Sequence, residues 1–187
     1  MLWLMEHRDL ATLEAGRDEI VASPKDDGRV DLIVRRPAVE QRETVTEATL
    51  DTSEGLVGDC WRARGSKGTP DGSADPKAQL TLMNARAAAL VAVTAERVPL
   101  AGDQLFVDLD LSVTNVPPGT RLALGSEAIV EISDEPHLGC RKFMERFGKD
   151  AHRFVCSREG RELNLRGVNA FVVTAGVVRT GDAIRKL

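Results

Sequence analysis

The sequence predicts a mainly β protein, a β-barrel decorated by a few α-helices. Three observations carry this reading. Seven or eight short segments are rich in β-branched and apolar residues and are separated by Gly, Pro, Asp and Ser turn signals. Only two or three stretches space their apolar residues as a helix does. The 187 residues, 42% hydrophobic and 29% charged, suit one domain with a core of its own.

The elements follow in order. From Glu6 to Ala22, the residues Leu10, Leu13, Ile20 and Val21 fall near one face with charges between them, which predicts a helix. Ser23-Pro24 and Asp27-Gly28 end it, so we expect an N-terminal helical extension over 1–28 and a barrel domain over 29–187. Val30–Val34 reads as a strand, and Thr44–Leu50 alternates as a half-buried strand should. Asp51–Pro76 is a long loop with five glycines and two prolines, and loops of that length are functional or disordered. Ala78–Met83 is a short strand, and Asn84 caps an alanine-rich helix from Ala85 to about Thr94. Leu105–Leu109 is a strand. Pro117–Thr120 is a turn, and Arg121–Leu124 and Ala128–Ile132 pair around Gly125-Ser126. Leu138–Ser157 is helical, with a break expected at Gly148. Ala170–Ala175 is an apolar strand, Gly176 starts a turn, and Ala183-Ile184 closes the chain as a last short strand. There are no internal repeats.

Composition excludes some functions. The net charge of −4 does not mark a nucleic-acid or membrane-binding surface. Tyrosine is absent and aromatics are 4%, too few for base-stacking platforms. The apolar opening Met1–Met5 stops at Glu6, too short for a secretion signal or a membrane span. Cys60, Cys140 and Cys156 form no CxxC pair, which argues against a zinc ribbon or thioredoxin motif and fits reduced thiols in a cytoplasmic protein. Charge is uneven: Leu138–Arg166 holds eight Lys or Arg against four acids. That segment suits an anionic small molecule, or equally a solvated, salt-bridged helix face.

Chemistry concentrates at Glu135-Pro136-His137-Leu138-Gly139-Cys140-Arg141-Lys142. Cys140 sits at a predicted helix start with His137, Arg141 and Lys142 nearby, and each of these features favours a thiolate. A thiolate attacks electrophiles, carries sulfane sulfur or ligates a soft metal. A buried, inert cysteine is the alternative. Cys60 follows Asp59, and acidic company disfavours thiolate, so a bystander role is expected. Cys156, beside Phe154 and Val155, reads as packing. Asp59, Arg62, Arg64 and Lys67 lie in the glycine-rich loop, which either binds an anion or is solvated. Neither a phosphate-loop nor a dinucleotide glycine pattern is present. Arg166 and Asn169, at the mouth of a strand, reach a phosphate or a pterin-like ring edge, or else serve as turn residues.

Taken together the segments resemble the MOSC domain, named for the C-terminal domain of molybdenum-cofactor sulfurases, from about Val30 to Ile184. Gly55-Leu56-Val57-Gly58-Asp59 resembles the family's GL.GD element, and Gln79–Met83 its strand before the first helix. Gly102–Leu111 resembles the GENL-type strand, and Gly125–Ala128 sits where the family turns between strands. Arg166–Ala170 with Gly176–Asp182 resembles the RGGV…G.I..GD ending. Cys140 falls at the family's characteristic cysteine. Gln104 and Gly139 depart from it, since the family usually has Asn and Pro there.

The resemblance implies a barrel like that of pyruvate kinase, binding molybdenum cofactor (molybdopterin) or handling its sulfur. Cys140 would be the metal ligand or a persulfide carrier, and some relatives reduce N-hydroxylated compounds. Arg62, Arg141 and Arg166 would hold the cofactor phosphate. Asp59, Gln104 and Asn169 would bind the pterin or shape its pocket, and His137 would tune the thiol or pass a proton. The partners implied are a small-molecule cofactor or substrate, with a sulfur donor or an electron-transfer protein. The 187 residues leave no room for a pyridoxal-phosphate desulfurase domain, so sulfane sulfur is expected from elsewhere. Two rivals stand beside this. One is a molybdenum-independent thiol enzyme using Cys140 and His137. The other is a non-catalytic cofactor-binding module.

Overall fold

The computed structural model describes residues 7–187; the apolar opening Met1–Met5 and the expected helix start at Glu6 lie outside the described residues. Two short helices come first, α1 (Leu10–Ala15) and α2 (Arg17–Val21). Asp9 caps α1 by accepting from the Thr12 N–H at 2.8 Å.

The strands β1 (Gly28–Arg35), β5 (Leu80–Asn84), β6 (Leu105–Asp108), β7 (Arg121–Leu124), β8 (Ala128–Ile132), β9 (Val168–Thr174) and β11 (Ala183–Lys186) form a closed barrel. Its order is β11-β7-β8-β9-β5-β6-β1, and β1 returns to β11 through Gly28↔Ile184 and Arg29↔Ala183. Closure removes the exposed strand edges that invite aggregation. All pairings in the ring are antiparallel except β5–β6. A parallel pair needs a crossover, here supplied by α4 (Ala85–Ala92) and a 3-10 segment (Ala95–Ala101). β2 (Glu43–Val45) extends the outer end of β1. β3 (Glu47–Asp51), β4 (Gly55–Leu56) and β10 (Gly176–Arg179) make a separate three-stranded sheet.

Two cores result from alternation along the strands. Ile33, Leu82, Leu105 and Val107 point into the barrel. Their neighbours Val34, Met83 and Phe106 point outward into a second core with Leu13, Ile20, Phe143, Phe147 and Phe154. Covered on both faces, β5 is buried at all five positions and β6 at its first three, so neither turns a face to solvent. Each fully buried large side chain contributes about 1.5–3 kcal/mol. Leu13 and Ile20 of the expected extension therefore share a core with the helices that flank the barrel.

The longest helix, α5 (Arg141–Cys156), breaks at Gly148, where φ is 90° and ψ is 167°. The break expected from sequence is there, and it folds the helix back on itself. A methyl group built on Gly139, just before the helix, would lie 2.8 Å from Cys156 Sγ at its far end.

Four expectations differ from the structure. The one helix expected to end at Ala22 is two, α1 and α2, which meet at Gly16. Thr44–Leu50 is not one strand: it divides at Thr46 into β2 and β3, which join different sheets. Gly176 does not start a turn but opens β10, which pairs with β3 in register Gly176↔Leu50 to Arg179↔Glu47. The long loop contains β4 and a short helix α3 (Trp61–Arg64). Among the described residues, no helix is long and apolar enough to cross a membrane.

Candidate functional site

A cleft of about 380 Å³ opens beside the barrel. One wall is the connection between β1 and β2, from Arg36 to Arg42; a second is the segment Cys60–Gly68; the third runs from Glu135 to the first turns of α5. Arg166, Asn169 and Thr81 complete it where β9 and β5 lie side by side.

At its base Asp103 is wholly buried, just ahead of β6. Arg166 Nη1 donates to Asp103 Oδ2 at 2.6 Å, and His137 Nε2 lies 2.9 Å from Asp103 Oδ1. Burial alone would favour the neutral acid, but Arg166 and His137 outweigh it and hold the carboxyl at about 2. Burial and the Arg166 charge lower the His137 pKa below its usual 6.5, so the ring is neutral at pH 7. A neutral ring facing a carboxylate donates its Nε2–H, which leaves Nδ1 as the proton acceptor. Arg166 also donates Nη2 to Ala101 O at 3.0 Å and stacks 5.0 Å from the Phe143 ring centroid. Its buried Nε–H has no hydrogen-bond partner among the described residues.

Cys140 is exposed and is the residue that precedes the first turn of α5. Behind it, His152 Nε2 lies 3.1 Å from Gly139 O and 3.7 Å from Cys156 Sγ. With no Cβ at Gly139, the returning end of α5 packs directly under the turn that carries the thiol.

The cationic wall is unevenly neutralised. Arg36 makes a two-pronged pair with buried Asp59, both contacts at 2.8 Å, and Asp59 also accepts from the Trp61 N–H at 2.9 Å. Lys142 and Arg146 share Glu40, at 2.5 and 2.6 Å, and together they hold its carboxyl at about 2. Among the described residues no ion pair engages Arg42 or Arg64. Burial and the neighbouring Arg146 lower the Arg42 pKa, and its buried Nε–H has no hydrogen-bond partner among the described residues. A half-buried guanidinium left unpaired is an unmet demand for an anion.

Of the residues singled out from sequence, the structure brings His137, Cys140, Arg166 and Asn169 to one cleft. Asp59 and Gln104 stand one layer behind. Asp59 grips Arg36, and Gln104 accepts from Thr81 N at 2.9 Å and Thr81 Oγ1 at 2.6 Å. Arg62 and Arg141 do not reach the cleft: Arg62 is exposed, and Arg141 lies 86% exposed in an ion pair with Glu145 at 2.7 Å. Helix spacing explains the second, since Glu145 is one turn along from Arg141. Sequence reasoning missed Asp103, although it stands in the Gly102-Asp103-Gln104 motif already noted. It also missed Arg36, Arg42 and Arg146, whose convergence depends on strand pairing. Cys60, expected to be a bystander, lines the cleft, and the Asp59 charge beside it is taken up by Arg36.

No family profile matches the chain, and no curated protein matches its sequence. Its fold is similar to solved structures. YuaD from Bacillus subtilis aligns with a TM-score of 0.64 at 17% identity, covering 84% of this chain and 93% of that one. YiiM from Escherichia coli aligns at 0.55 and 20%, covering 85% of this chain and 69% of that one. YiiM from Geobacillus stearothermophilus aligns at 0.55 and 15%, covering 86% and 75%. At these identities the likeness concerns the fold alone.

Proposed function

We propose that this chain is a molybdenum-cofactor-binding or sulfur-transfer protein of the MOSC kind, with Cys140 as the thiol that meets the metal or carries the sulfur. One observation supports this above the others: an exposed thiol shares a cleft with a half-buried arginine, Arg42, whose Nε–H has no hydrogen-bond partner among the described residues. Among the described residues no cluster of three or more His, Cys, Asp or Glu is arranged to hold a metal ion. A metal at Cys140 would therefore bring its other ligands with it, as a pterin-bound metal does. The donor set fits such a group. Arg42 and Arg166 offer buried N–H groups to a phosphate, and Asn169 and Thr81 offer hydrogen bonds to a ring edge. When bound, the cofactor supplies a centre for two-electron chemistry. The chain itself orients: Asp103 fixes the His137 tautomer, and Nδ1 of that ring accepts or returns a proton in the cleft. A small N-hydroxylated molecule is the substrate class that fits this proton and electron supply. Arg36 and the Lys142–Glu40–Arg146 cluster are held by their own ion pairs and shape the entrance.

The test is molybdenum content after expression in a cofactor-competent host. Near-stoichiometric metal in the wild type and its loss in a folded Cys140→Ser variant are expected. Metal retained by that variant would overturn the ligand role. The Asp103–His137 pair also favours a second reading, a molybdenum-independent thiol enzyme, because a neutral, oriented imidazole is what a thiol nucleophile needs. Turnover by metal-free protein would favour it.

A further inference from the structure

Cys60 and Cys140 come from distant parts of the chain, yet both line the one cationic cleft. Both are free thiols, Cys140 exposed and Cys60 half-buried. The third cysteine, Cys156, is not part of that wall; it packs behind Gly139 against His152. The backbones of both cleft thiols are fixed. The Cys60 N–H donates to Arg36 O at 2.7 Å, and Cys60 O accepts from Arg64 N at 2.7 Å. Cys140 O accepts from Met144 N at 3.1 Å. Arg42 lines the same cleft as Cys60. Two free thiols thus line one cleft that also holds Arg42, Arg64, Lys142 and Arg146.

We infer that Cys60 is a second reacting thiol of this site, which discharges sulfur carried on Cys140. The inference rests on the sulfur-transfer arm of the reading above. The donor is an inorganic polysulfide or a small organic persulfide, which leaves Cys140 as a persulfide anion. The Cys60 sulfur attacks the inner sulfur on Cys140. A disulfide bond forms between the two cysteines, and the bond to the outer sulfur breaks. The outer sulfur leaves as hydrosulfide, taking the proton that Cys60 gives up, so charge is unchanged. The Cys60 sulfur is oxidised and the departing sulfur reduced, and no other electron source is needed. An external dithiol resets the pair. The cationic wall holds the departing anion inside the cleft, where an acceptor can take it.

The experiment uses the full reduced chain, charged with sodium tetrasulfide and desalted. Intact mass and released sulfide are then followed without reductant. The wild type should gain one sulfur on Cys140, release it, and yield a Cys60–Cys140 disulfide on peptide mapping. Cys60→Ser and Cys60→Ala should keep the added sulfur and lose sulfide release, and Cys156→Ser should behave as wild type. Thermal melts confirm that each variant is folded. Equal release from wild type and both Cys60 variants, or a disulfide to Cys156, would overturn the inference. Failure of Cys140 to take up sulfur would overturn the carrier role beneath it, and the same mass spectra separate that result from the others.

Discussion

Asp103 has no exposed side-chain surface and bridges two groups, His137 and Arg166, that the cleft uses. Asp103→Asn would leave the Arg166 charge buried without its partner, a loss of about 3–5 kcal/mol on the scale for broken buried pairs. Urea denaturation should show it, together with a change in the His137 imidazole signals. The same residue sets an acid limit. Its folded-state pKa is about 2 against an ordinary 3.8, so its stabilisation is present above 3.8 and is lost as pH falls towards 2. His137 acts earlier in an acid titration. Its pKa is lowered from 6.5 by burial and Arg166, so the unfolded chain takes up a proton first and stability declines as pH drops below 6.5. Melting curves should therefore fall in two stages, and His137→Gln should remove the upper one. At this scale Cys140 and His137 were legible in the sequence because reactive residue types clustered there. Asp103 was not, since a single acid in a strand-entry motif resembles any turn residue until its burial is known.

Among the elements, α5 depends most on one position. Gly148 sits at φ 90° and ψ 167°, backbone that side chains rarely adopt, and a Cβ there would meet His7 Nδ1 at 2.8 Å. Gly148→Ala should cost about 1–3 kcal/mol from the backbone conformation alone. Thermal melting should report it, and alkylation of Cys140 should change with it, because the helix end that carries Cys156 packs beneath Gly139. The hinge was readable because glycine is the residue that breaks a helix this way. The division at Thr46 was not, because a strand that leaves one sheet for another keeps its alternation. Nor was β10, whose four residues earn strand pairing only through contact with β3.

For the whole molecule, the net charge of −4 hides a cleft of opposite sign. Inorganic phosphate should raise the melting temperature of the wild type, because a ligand that binds only the folded state stabilises it. The effect should shrink as sodium chloride is added and should be lost in Arg42→Ala; a salt-insensitive shift, or one that the variant retains, would count against an anion site. Overall sequence patterning revealed the barrel, since every strand in the ring carries its own alternation or apolar run. Ring order and the cleft were hidden, being properties of pairing between distant segments. That distance has a consequence for how such a protein can change. The turn bearing Cys140 is braced by residues within its own stretch, Gly139 to Cys156, while the facing walls come from Arg36–Arg42 and Cys60–Gly68. The Cys140 turn and the two facing loops are thus inherited in separate blocks of sequence. Exchanging the two facing loops is a route to new ligand preferences that leaves the thiol's mounting in place as long as Cys60 is kept, together with Glu40, which ties Lys142 and Arg146 of α5 to the first loop.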